Sequence, residues 1–301
     1  MRVAQGPELE YPWPEGRRAA VALTFDLDAE SVMLAADPYL ARRPSLMSHQ
    51  RYGPTTGVPR LLRILAERDV KATFFVPGHS AERFPEAVTR VLEAGHEVAH
   101  HGYLHEPLTG STEADERRYL ELGLKALHSV ANVRPTGYRA PWWETTERTL
   151  ALLAEYGFAY DSSLFDGDVP YRIATTSGPL VEVPVSWALD DWEKYAFLPD
   201  PPTGSGVIES PARVKEMWWE EIESYLEVGG CCVLTMHPFL SGRPSRVRAL
   251  RGLLERAATV SDLWIATVGE VAAHCAGAEV PVHPLSLLTV GSGPAEPVPG
   301  S

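Results

Sequence analysis

Strand-like and helix-like segments alternate along most of this chain, and no other feature constrains its fold as strongly. Apolar runs such as AAVALTFD at 19–26 and GCCVLTM at 230–236 have strand character, whereas RLLRILAERD at 60–69 has helical spacing. Alternation of this kind is typical of βα units and a parallel sheet. We therefore predict the α/β class. Because no linker or charge run divides the chain, we predict a single domain over residues 1–276 with its core at 19–275.

The sequence also predicts the local structure of three segments. Residues 31–54 contain several chain-breaking residues and no clean period, so a long loop is expected there. One helix is expected from Ser80, its candidate cap, to Gly95, its candidate stop. Residues 277–301 are rich in Pro, Gly and Ser at their end and are expected to form a peripheral or disordered tail.

Charge and hydropathy exclude several classes of partner. The net charge is −13 and the pI is about 5.2, so a nucleic-acid partner is not expected. No window approaches the ~20 apolar residues of a membrane span, and the first residues lack an apolar signal segment. A cytoplasmic protein without membrane contact is predicted. Its three cysteines form no spacing typical of a metal site or a disulfide framework.

A homo-oligomer is also expected. Trp218 and Trp219 are adjacent in a segment with helical spacing, where both were not expected to face the core. One of them is therefore expected to mark a subunit interface.

The stretch TFDLDAE places Asp26, Asp28 and Glu30 at alternate positions after an apolar run. In a strand, side chains two residues apart point to the same face, so the three carboxylates are expected to face the same way. Like charges held together are unfavourable unless a positive charge lies between them or one carries a proton. A cation at this position is one solution.

Reactive residues recur at the carboxyl ends of the predicted strands. In parallel αβ barrels the functional site is assembled at that edge of the sheet, from the loops that follow the strands. The residues concerned are Asp26, Asp28, His101, His105, Arg139, Asp190, Asp191 and His237.

The segment HHGYLH places His101 and His105 four residues apart at such a strand end. Two imidazoles and one carboxylate form a common ligand set for a divalent metal, with a position left for water or substrate. The pair by itself is weak evidence, but the carboxylates of the first strand strengthen it, because a dication relieves their repulsion. His100 points the other way if the strand persists, so a packed histidine is expected there.

The other predicted site residues surround these ligands. His237 ends a strand immediately before a proline, and Arg139 can orient a neighbouring carboxylate through its fork of donors. Aromatic faces in the site loops suit ring-shaped substrates. Predicted substrate-binding residues are Trp142, Trp143, Asp191 and Arg243, the last as a ligand for a carbonyl or carboxylate.

Four ordered motifs, TFDLD, HHGYLH, GYRAPWW and LTMHP, together resemble those of the polysaccharide deacetylase family, the NodB homology domain. The resemblance spans residues 19–275. It implies a distorted (β/α) barrel, commonly seven-stranded and TIM-like. It also implies a hydrolase that cleaves a non-peptide carbon–nitrogen amide bond with one divalent metal, usually zinc.

The resemblance further implies a role for each matched residue. Asp26 matches the general base, and Arg139 matches the arginine that orients it. Asp28, His101 and His105 match the metal ligands, and His237 matches the general acid. A backbone N–H near Trp142 would help to hold the oxyanion.

The chain departs from the usual family pattern, because Leu27 separates the two aspartates and Gly102 follows His101. These features resemble a cytoplasmic branch that includes cyclic imidases, allantoinase-like proteins and proteins named peptidoglycan deacetylases. The substrate is therefore expected to be a small cyclic imide or ureide, or an N-acetyl sugar. The predicted cytoplasmic location slightly favours the small substrate.

Three other functions stay open at this point. A catalytically inactive barrel that binds carbohydrate or another ligand would have lost Asp26, His237 or a metal histidine, and none is lost. Some allantoinase-like proteins are metal-free hydrolases, but they lack histidines that are present here. A metallophosphatase would need more ligands for a second metal and a basic phosphate cradle.

Overall fold

The computed structural model describes residues 9–204 and 206–285, and in them helices and strands alternate as the sequence predicted. The strands are β1 (Ala19–Asp26), β2 (Thr73–Val76), β3 (Glu97–His100), β4 (Gly137–Tyr138), β5 (Tyr160–Asp161), β6 (Tyr171–Thr175), β7 (Gly178–Glu182), β8 (Leu198–Pro199), β9 (Pro202–Thr203), β10 (Cys231–Met236), β11 (Leu263–Ala266) and β12 (Val282–Pro284). The α-helices are α1 (Ser31–Ala36), α2 (Pro44–Tyr52), α3 (Val58–Ala66), α4 (Gly78–Arg83), α5 (Pro85–Glu93), α6 (Glu113–Ala131), α7 (Thr149–Glu155), α8 (Trp192–Tyr195), α9 (Pro211–Val228), α10 (Pro238–Ser241), α11 (Pro244–Ala257) and α12 (Val268–Gly277).

The main sheet is mostly parallel, which confirms the α/β class. Its strand order is β10-β1-β2-β3-β4-β5-β7-β6-β12, with β11 beside the first half of β1. Only β6 and β7 pair antiparallel within it. A single parallel bridge between Asp190 and Thr235 connects the chain beyond β7 to β10. The ten strands of the sheet in the described residues therefore form no closed barrel through a full ladder of hydrogen bonds.

Alternation along β1 separates the two faces of the sheet. Leu23 and Phe25 join the larger apolar cluster on one face, whereas Ala20 and Ala22 join a second cluster on the other. All eight residues of β1 are buried, as expected for a parallel strand covered on both faces. Asp26 continues the alanine face, so β1 carries its first acid to the end of the interior side of the sheet.

The expected long loop at 31–54 is wrong. The segment forms α1, a 3₁₀ turn (Pro38–Arg42), α2 and the start of a wide π turn (Gly53–Gly57). Prolines are at the start of several of these elements, where their missing N–H costs no hydrogen bond. The residues that suggested a loop therefore mark the starts of short helices.

The single helix expected from Ser80 to Gly95 is also wrong. The chain breaks at Phe84 (φ −133°), and Pro85 begins a second helix. Ser80 lies inside α4 and its hydroxyl donates to the backbone oxygen of Asp28, so it caps no helix. Gly95 does follow α5, with a positive φ of 75°.

The adjacent tryptophans of α9 do not mark an exposed face. Trp218 and Trp219 are both buried, and the guanidinium of Arg256 lies 4.2 Å from the ring of Trp219. Neighbouring helical positions are about 100° apart, so a wide apolar stripe can bury both. The expected subunit interface at one of these tryptophans is therefore wrong, and the homo-oligomer itself stays a prediction.

The predicted tail contains one strand that sequence patterns did not indicate. β12 pairs in parallel with β6 at the edge of the sheet. Residues 286–301 lie outside the described residues, where the expectation of a disordered tail also falls. No helix among the residues described here has the length and apolarity to span a bilayer. The cytoplasmic location stays a prediction.

His100 is packed as expected, and Gly123 of α6 lies against its ring. The ring is fully buried, with Nε2 3.2 Å from the Leu120 oxygen and Nδ1 accepting the Gly102 N–H at 3.1 Å. A Cβ at Gly123 would lie 2.2 Å from His100 Nε2. Such a contact forces the ring or the helix to move.

We expect Gly123→Ala to lower the free energy of unfolding by about 1–3 kcal/mol through overpacking, despite ~1 kcal/mol gained in helix propensity. Urea denaturation followed by circular dichroism measures the change. Gly252→Ala on α11 is the matched control, because its nearest neighbour is Lys215 Cδ at 3.6 Å. The control should be neutral or stabilising. An equal change in the free energy of unfolding in the two variants would show that a side chain at position 123 is not overpacked against His100.

Candidate active site

The carboxyl ends of β1, β3 and β10 and the loops after β4 and β7 enclose one cavity with about 460 Å³ of empty space. It lies at the sheet edge that the sequence predicted. Its lining residues are Asp26, Asp28, Val32, His101, His105, Trp142, Trp143, Trp187, Asp190, Trp192, Glu193 and His237.

Asp28, His101 and His105 converge in this cavity. Nε2 of His101 is 3.5 Å from Asp28 Oδ1, and Nε2 of His105 is 3.7 Å from Asp28 Oδ2. One donor atom from each residue lies within 4.8 Å of the others. All three side chains are buried, and neither oxygen of Asp28 has a hydrogen-bond partner among the described residues. Buried carboxylate oxygens without partners are unfavourable, so this group needs a positive charge.

The protonation of the two histidines suits a metal. Burial lowers the pKa of His101 to about 3 and lowers that of His105 well below its ordinary value, so both rings are neutral at pH 7. Nδ1 of His101 lies 2.7 Å from the Arg139 carbonyl oxygen, which it meets as a donor. This contact fixes the tautomer and directs the lone pair of Nε2 towards Asp28. Burial also raises the pKa of Asp28 to about 7. The set therefore fits a divalent cation.

Asp26 is held by a buried ion pair. Arg139 is fully buried, and its Nη1 donates to Asp26 Oδ1 at 2.8 Å and to the Thr24 hydroxyl at 2.9 Å. Its Nε donates to the Ser162 carbonyl oxygen at 3.1 Å, and its guanidinium carbon lies 4.1 Å from the centroid of the Phe75 ring. The arginine thus fixes one oxygen of Asp26 and leaves the other, Oδ2, 3.9 Å from His101 Nε2.

His237 lies beside Asp28 in the same cavity. Its Nδ1 donates to Asp191 Oδ1 at 2.7 Å, and its Nε2 lies 3.5 Å from Asp28 Oδ2. Burial by itself would lower the pKa of His237, but the hydrogen bond and charge of Asp191, with Asp190 and Asp28 nearby, raise it to about 10. The ring is therefore a cation at pH 7 and carries a proton on the nitrogen that faces the cavity.

Two predicted substrate-binding residues, Asp191 and Arg243, do not line the cavity. Asp191 is fully buried, and its oxygens accept from His237 and from the Ser241 hydroxyl, so it positions the histidine. Arg243 does not line the cavity. Its guanidinium carbon lies 3.6 Å from the Tyr52 ring centroid, and its Nε donates to the Phe239 oxygen at 3.2 Å. The place of Asp191 at a strand end and of Arg243 shortly after His237 suggested these contacts, but side-chain direction decides them.

Glu30 also leaves the site. β1 ends at Asp26, and Ala29 has a φ of 50°, so the alternation that groups the three acids stops before Glu30. The Glu30 carboxylate instead lies 3.1 Å from Arg83 Nε and 3.6 Å from Arg51 Nε.

The predicted tryptophans line the cavity. Trp142 is 39% exposed and Trp143 is buried, and Trp187 and Trp192 join them. Trp142 (φ 60°) and Trp143 (φ 57°) both have left-handed backbone, as has His105 (φ 61°). Such conformations are costly in bulky residues and cluster at functional sites.

Sequence reasoning gave no role to Asp190 and missed Glu193 in the cavity wall. Asp190 was noted at a strand end, and its Oδ1 accepts the Trp192 N–H at 2.7 Å. Burial raises its pKa to about 7. The only available signal for Glu193 was its place within three residues of Asp190 in the sequence DDWE.

Comparisons with known proteins show which sequences and folds this chain resembles. The profile of the family described as polysaccharide deacetylase matches residues 51–160. The peptidoglycan deacetylase of Helicobacter pylori is 33% identical over 227 residues, which are 67% of this chain and 77% of that protein.

Two crystal structures share the fold. One, from Mycobacterium smegmatis and provisionally named a polysaccharide deacetylase, is 51% identical, with a TM-score of 0.89 over 92% of this chain and 96% of that one. The other, an allantoinase, is 23% identical, with a TM-score of 0.78 over 89% and 93% of the two chains. With the shared fold and the similarity in sequence, the chain belongs to the polysaccharide deacetylase family, a family of hydrolases acting on carbon–nitrogen bonds.

Proposed function

We propose that this protein is a metal-dependent hydrolase that removes the acetyl group from the nitrogen of an N-acetylated sugar. The observation that carries the proposal is the buried Asp28 carboxylate, which has no hydrogen-bond partner in the described part of the chain and faces two neutral imidazoles. The relatives named as polysaccharide or peptidoglycan deacetylases support the substrate class.

Asp28, His101 and His105 would hold the metal. Two imidazole nitrogens and one carboxylate are a common donor set for zinc at catalytic sites, and the open side of the cavity leaves room for further ligands. When bound, such an ion acidifies water and polarises a carbonyl oxygen.

Asp26 acts as the general base. Arg139 fixes its Oδ1, and Oδ2 faces the metal ligands, where it can accept the proton of the attacking water. The buried ion pair keeps this carboxylate in one orientation.

His237 acts as the general acid. It enters the reaction protonated and gives its Nε2 proton to the departing nitrogen, while Asp191 stabilises the imidazolium and fixes its orientation. Both acid–base groups line the same cavity as Asp28, so each can reach an amide held there.

A small cyclic imide is the second candidate substrate, and one observation favours it. The cavity is walled by four tryptophans, whose flat apolar faces also suit a single ring. The metal-free hydrolase and the inactive binding barrel are alternatives that the following experiment distinguishes.

We expect about one zinc per chain after loading and dialysis, measured by elemental analysis. Hydrolysis of an N-acetylated chitooligosaccharide and of a cyclic imide is followed in parallel. His101→Ala should hold little zinc and lose more than about 100-fold in kcat/KM, because even the outer partners of metal ligands contribute ~10–100-fold.

His128→Ala is the matched control, since His128 is exposed on α6 and should change neither quantity. A wild-type chain that binds no metal at saturating zinc would refute the ligand assignment and favour a metal-free or binding role. Zinc binding without hydrolysis of either substrate would refute the proposed reaction alone.

The pH dependence of kcat tests the general acid. A general acid is active only while it is protonated. The rate should therefore fall as pH rises through the pKa of His237, which lies near 10 in the absence of metal. Asp191→Asn removes the charge and the acceptor that raise this pKa. We expect the alkaline limb to move to lower pH and kcat to fall by about 10²–10⁴-fold.

Asp168→Asn is a suitable control, because Asp168 lies outside the cavity and its carboxylate accepts, among the described residues, only a 3.4 Å hydrogen bond from the Tyr225 hydroxyl. An alkaline limb that stays in place in Asp191→Asn would show that His237 is not the titrating acid.

A further inference from the structure

Two carboxylates in the cavity wall have no catalytic role in the proposed chemistry, although the charge of Asp190 helps to raise the pKa of His237. Asp190 is buried at the bridge to β10, and Glu193 is half-buried on α8. Asp190 Oδ1 accepts the Trp192 N–H, and the hydrogen bonds of the described residues leave its Oδ2 without a donor. Both side chains line the cavity beside Trp187 and Trp192.

Among the described residues no lysine or arginine pairs with these two carboxylates, and the cationic His237 beside Asp190 leaves Glu193 as the uncompensated charge. The ion pairs of Asp190 comprise only His237, whose Nδ1 is 3.7 Å away, and Glu193 has none. Within residues 9–204 and 206–285, no lysine or arginine lines the cavity. The nearby Arg139 is committed to Asp26, and Arg243 lies against Tyr52.

Trp187 supplies an apolar face beside the carboxylates. It is 45% exposed, and its ring packs 4.5 Å from Trp143 and 5.4 Å from Phe165, centroid to centroid. A wall that joins exposed aromatic faces to hydrogen-bond acceptors suits a ring that carries hydroxyl or N–H donors.

We propose that Asp190 and Glu193 make the cavity selective for neutral or cationic N-acetylated sugars and exclude sugars that carry a carboxylate. This inference rests on the proposed function and adds the charge of its substrate. Sugar hydroxyls can donate to the free carboxylate oxygens, whereas an anion placed there meets like charge in a partly desolvated site. Selectivity of this kind depends on repelling the wrong ligand.

The test measures binding of two matched disaccharides to the metal-free protein in the presence of a chelator, so that no turnover occurs. The ligands are N,N′-diacetylchitobiose and the same disaccharide oxidised to a carboxylate at C6 of its non-reducing sugar. Quenching of tryptophan fluorescence reports occupancy, because four tryptophans line the cavity.

The neutral disaccharide should bind to the wild-type chain at least about 10-fold more tightly than the carboxylated one. The ratio of their two dissociation constants should become smaller as salt screens the charges. Glu193→Gln should reduce this ratio of dissociation constants at least threefold, and adding Asp190→Asn should reduce it further. Glu220→Gln, an exposed position on α9, is the control and should leave the ratio unchanged. Circular dichroism verifies that each variant is folded, and Glu193→Gln alone suffices if the double variant is not.

Equal or tighter binding of the carboxylated disaccharide would overturn the inference, as would a ratio unchanged by Glu193→Gln. Failure of both disaccharides to bind would overturn it as well. If the zinc-loaded chain hydrolyses no acetamide yet the binding ratio behaves as expected, the proposed function fails and the charge selectivity stands.

Discussion

The burial of two carboxylates at the end of one strand is the constraint on which the rest of the site depends. Asp26 and Asp28 are almost inaccessible to solvent, and each would be costly as an isolated buried anion. Arg139 compensates the first through a direct ion pair, and His237 faces the second as a cation. The neutral His101 and His105 complete a donor set that favours a dication over further protonation.

The surrounding fold holds these charges in place. Arg139 is fully buried and is bound to β1 and to the loop after β5, so its ion pair cannot relax towards solvent. Left-handed backbone at His105 and Trp142 stores strain beside the same cavity. Such pre-organisation lets a site act without rearranging its charges during the reaction.

The overall fold was predictable where local pattern and tertiary structure agree. The buried run of β1 and the amphipathic α3 and α6 read directly from the sequence. Residues 31–54 did not, because their short helices depend on tertiary packing of residues such as Leu46 and Met47. The edge strand β12 was missed because its pairing with β6 joins residues more than 100 positions apart.

The sequence by itself determined the composition of the site. Asp26, Asp28, His101, His105, Arg139 and His237 follow strands, and parallel strands bring their carboxyl ends to one edge. Only the tertiary structure decided which way each neighbouring side chain points. Asp191 accepts a hydrogen bond from His237, Arg243 packs on Tyr52 and Glu30 pairs with arginines. Glu193 lines the cavity. The physical reason is that spacing along a strand fixes a residue's place at the edge, whereas the direction of a loop side chain depends on partners distant in sequence.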